Sequence, residues 1–182
     1  GTIWTPSDIS TAATVTGTSN GETINGYGKD ETILGGDGND TINAKGGDDT
    51  LEGGLGNDTL RGSDGSDTYL WSSGDGNDEI EDATQSIEDI DTLKFVDIAS
   101  TDVELSRSSG EDLIITILST GEVIEIEDQF DGHSSPTWGG DRAVSYGKGI
   151  EKIEFANGVI WSLNDIYHNA SINGDANGTT IT

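Results

Sequence analysis

The sequence predicts an all-β fold: a right-handed parallel β-roll that continues into a C-terminal antiparallel β cap with one short helix. Three observations carry that expectation. Nine-residue units run almost unbroken from Gly17 to Glu81. Within each unit, glycines, then an acidic residue, then an apolar residue recur at fixed places. From Asp91 onward the period gives way to longer strands separated by turn signals. A fixed period decides architecture before local preferences do.

Cut into nines, the segment reads GTSNGETIN, GYGKDETIL, GGDGNDTIN, AKGGDDTLE, GGLGNDTLR and GSDGSDTYL; after Trp71 and Ser72, read as an insertion, comes SGDGNDEIE. The sixth position is Glu22, Glu31, Asp40, Asp49, Asp58, Asp67 and Asp78, and the eighth is Ile24, Ile33, Ile42, Leu51, Leu60, Tyr69 and Ile80. Glycine tolerates the positive φ angles of a tight turn. Such a turn points carbonyl oxygens inward, where the acid adds a charged one. Oxygens grouped this way suit a hard cation with roughly six to eight oxygen ligands, Ca²⁺ before Mg²⁺ or Zn²⁺. The residues after the acid (Thr-Ile-Asn, Thr-Leu-Glu, Thr-Leu-Arg) predict a three-residue strand with one inward apolar side chain. Turn and strand in alternation give a flat coil of two parallel sheets with ions stacked along its turns. The strict apolar eighth position argues against a disordered acidic linker.

The units resemble the RTX nonapeptide repeat of haemolysin-type calcium-binding proteins, most closely over Gly35 to Asp78. Glu22, Glu31 and Lys29 depart from the pattern before that. The resemblance implies a Ca²⁺ between each turn and the turn two repeats on, several ions in all. The acids then pair as Asp40 with Asp58, Asp49 with Asp67 and Asp58 with Asp78, with Glu31–Asp49 and Glu22–Asp40 as the degenerate pairs. It also implies carbonyl ligands from odd turn positions: Gly35, Asp37 and Asn39; Gly46 and Asp48; Gly53, Leu55 and Asn57; Gly62, Asp64 and Ser66; Asp75 and Asn77. Asp91-Thr-Leu-Lys-Phe keeps the acid-x-apolar core and reads as a degenerate last turn, with Asp91 at its edge.

The second half is expected to form strands over Val103 to Ser106, Leu113 to Leu118, Val123 to Glu127, Ile150 to Phe155 and Val159 to Trp161. Leu118-Ser-Thr-Gly-Glu and Phe155-Ala-Asn-Gly-Val read as hairpin turns. Ser162 to Tyr167 reads as a short helix with Ser162 as its N-cap. This half resembles the domain that often follows haemolysin-type repeats, which implies a cap over the open end of the roll. The loop Asp131 to Gly149, with His133, Trp138, Asp141, Arg142 and Tyr146, is longer than a connection needs, and its aromatic could stack on a sugar ring.

The chain's two ends match each other: Ile3, Trp4, Asp8, Ile9, Gly17 and Ile24 align without a gap on Ile160, Trp161, Asp165, Ile166, Gly174 and Ile181. The reading is one unit of a tandem array, with 1–16 the tail of a preceding unit, 17–94 the roll, 95–173 the cap and 174–182 the start of the next roll. Neighbouring units of the same chain are then partners.

Composition narrows the function. The 182 residues carry a net charge of −27, which opposes compaction unless cations bind and disfavours direct contact with nucleic acid. Zero Cys excludes disulfides and thiolate zinc, and no apolar run approaches a membrane span. Neither histidine has the partners of a zinc or nucleophilic site in sequence, and no hydrolase motif is present. The expectation is therefore a non-enzymatic, calcium-binding module that folds outside the cell. The RTX resemblance implies a large bacterial protein exported by type I secretion, a toxin or adhesin among the candidates. The alternative is a carbohydrate-binding or adhesive module of a surface adhesin or polysaccharide-modifying enzyme.

Overall fold

The structure is a computed structural model and describes residues 13–83, 86, 88–108, 111–130 and 148–172. Among the described residues two seven-stranded sheets form, and through the repeats the chain alternates between them strand by strand. The first sheet holds, in order, β1 (Ala13–Thr16), β3 (Glu31–Asp37), β5 (Thr50–Leu55), β7 (Thr68–Trp71), β9 (Thr92–Phe95), β13 (Lys152–Glu154) and β14 (Ile160–Ser162). The second runs β10 (Val103–Arg107), β11 (Leu113–Ile117), β12 (Val123–Ile126), β8 (Asp78–Ile80), β6 (Thr59–Asp64), β4 (Thr41–Gly46) and β2 (Thr23–Asn25). One helix, α1 (Leu163–Ile172), follows β14.

Pairing within the repeats is parallel throughout: Thr32 faces Thr50, Thr50 faces Thr68, Thr41 faces Thr59. Side chains alternate along each strand and the turn resets the phase, so the same three positions point inward in every repeat. They are the sixth (the acid), the eighth (the apolar residue) and the first of the next unit. The eighth-position residues Ile33, Leu51, Tyr69 and Leu93 stack in one sheet and Ile42, Leu60 and Ile80 in the other, all at most 2% exposed. At about 25 cal/mol per Å² of buried apolar surface, one such side chain per turn is a thin core.

Strands β3 to β6 run six or seven residues instead of the expected three. The second turn position extends each ladder, with Gly36 facing Gly54 and Lys45 facing Ser63. All four residues have positive φ, 80° to 109°, so each strand bends into its turn without losing register. Trp71 is not an insertion. It faces Phe95 in the β7–β9 ladder and is 2% exposed, in the inward first position of its turn. The two extra residues lie after it.

The sheets do not stop where the repeats do. β12 adds parallel to β8, and β13 adds parallel to β9. Only then do the antiparallel pairs β10–β11–β12 and β13–β14 close the far end. Both expected hairpin turns form, with Gly121 at φ 81° and Gly158 at φ 79°. An aromatic run joins roll to cap: Trp71 meets Phe95 edge-on at 5.8 Å, Phe95 stacks on Phe155 at 5.3 Å, and Phe155 meets Trp161 edge-on at 4.6 Å. Helix α1 outlasts the expected Tyr167 because Ala170 continues the buried face begun by Ile166 and Tyr167. Ser162 caps it: its N–H and its hydroxyl both donate to Asp165 Oδ2, at 2.8 and 2.6 Å. The loop residues 131–147 and the matching ends, 1–12 and 173–182, lie outside the described residues.

Candidate metal centre

From Asp40 onward, each repeat acid is held by the turn two repeats before it. The backbone N–H of Glu22 donates to Asp40 Oδ1, that of Glu31 to Asp49 Oδ1 and that of Asp40 to Asp58 Oδ1, each at 2.7 Å. Asp49 donates in the same way to Asp67 (2.8 Å), Asp58 to Asp78 (2.9 Å) and Asp67 to Asp91 (2.8 Å). These contacts bring together every acid pair expected from sequence. They form two continuous inner ladders, one along each edge of the roll.

The second oxygen of these carboxylates is left over. Asp40, Asp49, Asp58 and Asp67 are at most 2% exposed, and in each the Oδ2 atom has no hydrogen-bond partner. A buried acceptor without a donor costs roughly 1–3 kcal/mol, more if charged. Glycine keeps space beside it. A Cβ on Gly35 would lie 2.6 Å from Asp40 Oδ2 and 2.3 Å from the Gly53 carbonyl oxygen, and one on Gly53 would lie 2.2 Å from Asp58 Oδ2. Beside Asp40 and Asp58, oxygens thus converge on a cradle that a side chain would fill; in the Asp49 turn the small Ala44 stands there. That donor set fits a hard cation.

The glutamate turns differ. Glu22 Oε2 accepts from its own turn's Thr18 N–H at 2.8 Å, and Glu31 Oε2 accepts from Tyr27 N–H at 3.0 Å. The extra methylene lets the carboxylate reach back and satisfy itself. Exposed Lys45 donates from Nζ to the Gly26 carbonyl at 2.7 Å.

The odd turn positions fall into three groups. Gly35, Gly53 and Gly62 are the inward first positions. At the third position, the carbonyls of Leu55, Asp64 and Asp75 each accept an N–H, from Gly38, Gly47 and Gly56 respectively, which occupies one lone pair. Asp37 and Gly46 pair laterally with Leu55 and Asp64. The fifth position builds a second, outer ladder that sequence reasoning missed. Asn57 N–H donates to Asn39 Oδ1, Asn77 to Asn57, and Val123 to Asn77. On the other edge Asp48 donates to Asp30, Ser66 to Asp48, and Ile90 to Ser66 Oγ. The outer ladder runs opposite to the inner one: its side chains accept from the turn that follows.

Asp91 is not at an edge. It is 1% exposed, and its N–H donates to Glu151 Oε2 at 2.8 Å, so the inner ladder passes into the cap. Burial comes first in raising the acids along both ladders, followed by crowding from like charges that backbone hydrogen bonds only partly offset. Asp49 and Asp58 rise to about 6, Asp78 and Glu151 to about 7, and Asp67 to about 8.

The description "RTX calcium-binding nonapeptide repeat (4 copies)" matches residues 16–51 and 44–70, and "Haemolysin-type calcium binding protein related domain" matches residues 112–165. The repeats of residues 16–70 are RTX calcium-binding repeats. RTX repeats bind Ca²⁺, and the unpartnered Oδ2 atoms, with glycine beside Asp40, Asp58 and Asp67 and Ala44 in the Asp49 turn, fit that ion. Among solved structures, the chain is similar to the solution structure of the AlgE6R3 subunit from the Azotobacter vinelandii mannuronan C5-epimerase. The likeness covers 71% of this chain and 88% of that one, at 21% identity and a TM-score of 0.47. No curated protein matches the chain. No helix among the described residues is long and apolar enough to cross a membrane.

Proposed function

We propose that this chain is a calcium-dependent folding module, one unit of a longer repetitive bacterial protein that is exported by type I secretion and folds outside the cell. The observation that carries the reading is the row of buried, unpartnered Oδ2 atoms on Asp40, Asp49, Asp58 and Asp67. Ca²⁺ would be held by these atoms together with first-position carbonyls such as those of Gly35 and Gly53. The acids act in the proposed pairs, Asp40–Asp58 and Asp49–Asp67, with Asp58–Asp78 walled by Trp71 where the Asp40 and Asp58 turns keep Gly35 and Gly53. When bound, the ion supplies the positive charge that lets several carboxylates be buried at once. Its binding free energy is then folding free energy. Extracellular modules bind Ca²⁺ at about 10⁻⁴ to 10⁻³ M, so such a chain stays open at cytosolic concentrations and closes outside. The cap covers the open end of the sheets, and neighbouring units continue the array at the other.

Circular dichroism in EDTA and then in millimolar Ca²⁺ tests the reading. A cooperative gain of β signal is expected with Ca²⁺, and none with Mg²⁺, which demands octahedral geometry and dehydrates reluctantly. A full β spectrum in EDTA would sink it. Carbohydrate binding rests on its sequence arguments, the 131–149 loop and the tandem unit, and a glycan array run with and without Ca²⁺ decides it.

A further inference from the structure

The inner face of the roll changes where it meets the cap. The first turn position along this edge is Gly26, Ala44 and then Gly62. Extending the β6–β8 register by the Glu81 N–H bond to the Leu60 carbonyl sets Asp82 beside Gly62, in the slot the earlier turns keep small. Its side chain is accordingly inward and 3% exposed. There it meets two ladder acids. Carboxylate oxygens of Asp67, Asp82 and Asp91 all lie within 4.8 Å of one another, and the three residues are 0%, 3% and 1% exposed.

Each carboxylate is pinned by one backbone amide and aims the rest of its charge inward. Asp67 Oδ1 accepts from Asp49 N–H, Asp82 Oδ1 from Ser63 N–H at 3.2 Å, and Asp91 Oδ1 from Asp67 N–H. Asp67 Oδ2 and Asp82 Oδ2 are both buried and without a partner. Gly62 holds the space open, since a Cβ there would lie 2.0 Å from Asp67 Oδ2 and 2.5 Å from the Tyr69 hydroxyl.

We propose that Asp67, Asp82 and Asp91 form a further Ca²⁺ site at the junction of roll and cap, its third carboxylate supplied from outside the nonapeptide pattern. Three anchored carboxylates, two with free oxygens, are a hard, all-oxygen donor set. Without a cation, burial and mutual repulsion push Asp67 up to about 8 and Asp82 up to about 9. Three such charges are compatible with burial only when a positive charge joins them. The site also reaches the cap, because the Asp82 carbonyl accepts Gly149 N–H and the Asp91 carbonyl accepts Glu151 N–H. Filling it ties the last turn of the roll to the segment that closes it.

The inference rests on the repeats binding calcium, and the test separates the two. Bound Ca²⁺ is counted by equilibrium dialysis on the full chain, on Asp82→Gly, which restores the residue type of the first turn position, and on Asp82→Asn, which keeps the shape without the charge. Circular dichroism in saturating Ca²⁺ checks the fold. Both variants are expected to fold in Ca²⁺ and to bind one ion fewer per chain. Unchanged stoichiometry and midpoint in the folded variants would overturn this site alone. So would an Asp82→Asn chain that gains stability in EDTA with its Ca²⁺ count intact, since the acids would then be sharing a proton. A parent chain that binds no Ca²⁺ overturns both readings.

Discussion

Lys45 and Ser63 occupy a turn position where Gly36 and Gly54 stand in the neighbouring repeats, and all four have positive φ. Glycine adopts that conformation freely, whereas a residue with a Cβ is strained there by roughly 1–2 kcal/mol. Ser63 contributes a backbone N–H to Asp82 that glycine would retain. Ser63→Gly is therefore expected to stabilise the folded chain by about 1 kcal/mol, read as a higher melting temperature in saturating Ca²⁺; a lower one would count against the strain. The repeat acids show a second effect of single atoms. Glu22 bonds its own turn, while Asp58 leaves Oδ2 unpartnered. Asp58→Ala is expected to raise the Ca²⁺ midpoint of folding several-fold, and Glu22→Ala to leave it within about twofold. Equal midpoints would argue against the division between aspartate and glutamate turns.

At the scale of elements, much of the roll was legible because its period repeats identities. The acid at the sixth place and the apolar residue at the eighth announce an inward face. The outer ladder was not legible, because Asn39, Asp48 and Ser66 share a hydrogen-bonding role but no identity, so the ninefold spacing shows only as polarity. Asp82 and Glu151 escaped for another reason. The extra residues after Trp71 and the long stretch before Asp91 break the frame, and register returns only through sheet pairing. The helix was placed correctly at its start, where Ser162 and Asp165 mark the cap, and cut short at its end, where no sequence signal stops it. The cap hangs on a contact of the same hidden kind. The Gln129 side chain, 1% exposed, accepts Ile150 N–H at 2.8 Å and donates to the Ile150 carbonyl at 3.0 Å. It stands in for a neighbouring strand. Gln129→Ala strands both backbone groups in the interior, and a loss of roughly 3 kcal/mol is expected in denaturant titration. A loss under about 1 kcal/mol would mean that water or a shifted backbone replaces the amide.

For the whole molecule, proton and calcium should act as rivals. Folding raises the buried acids above an ordinary value near 3.8, with Asp49, Asp58 and Asp75 at about 6 and Asp67 at about 8, burial being the first cause in each. A raised folded pKa means that the folded chain binds more protons than the unfolded one. The associated stability is fully present below the unfolded value and is lost as pH rises through the folded values. The calcium-free chain should thus become more stable as pH falls from about 8 toward 4. The shrinking of its −27 charge works in the same direction. Calcium needs the same carboxylates deprotonated, so its affinity should fall over that window. Melts in EDTA and Ca²⁺ titrations at about pH 5 and pH 8 measure both trends. A calcium-free chain that loses stability on acidification would refute the first.

The inner ladder also has a direction in time. Each buried amide, from Glu22 to Asp91, finds its acceptor on a carboxylate that comes later in the chain, the last of them Glu151 in the cap. A roll assembled from its N-terminal end would carry, at every step, an interior N–H whose acceptor has not yet arrived. Assembled from the cap backwards, each incoming turn meets an acceptor already in place, a carboxylate that water or Ca²⁺ can hold until the amide arrives. The outer ladder has the opposite polarity, but its exposed amides can wait on water at little cost, so the interior sets the preference. The cap is then a seed as well as a lid: it offers the first template, and the repeats crystallise onto it one turn at a time toward the N-terminus.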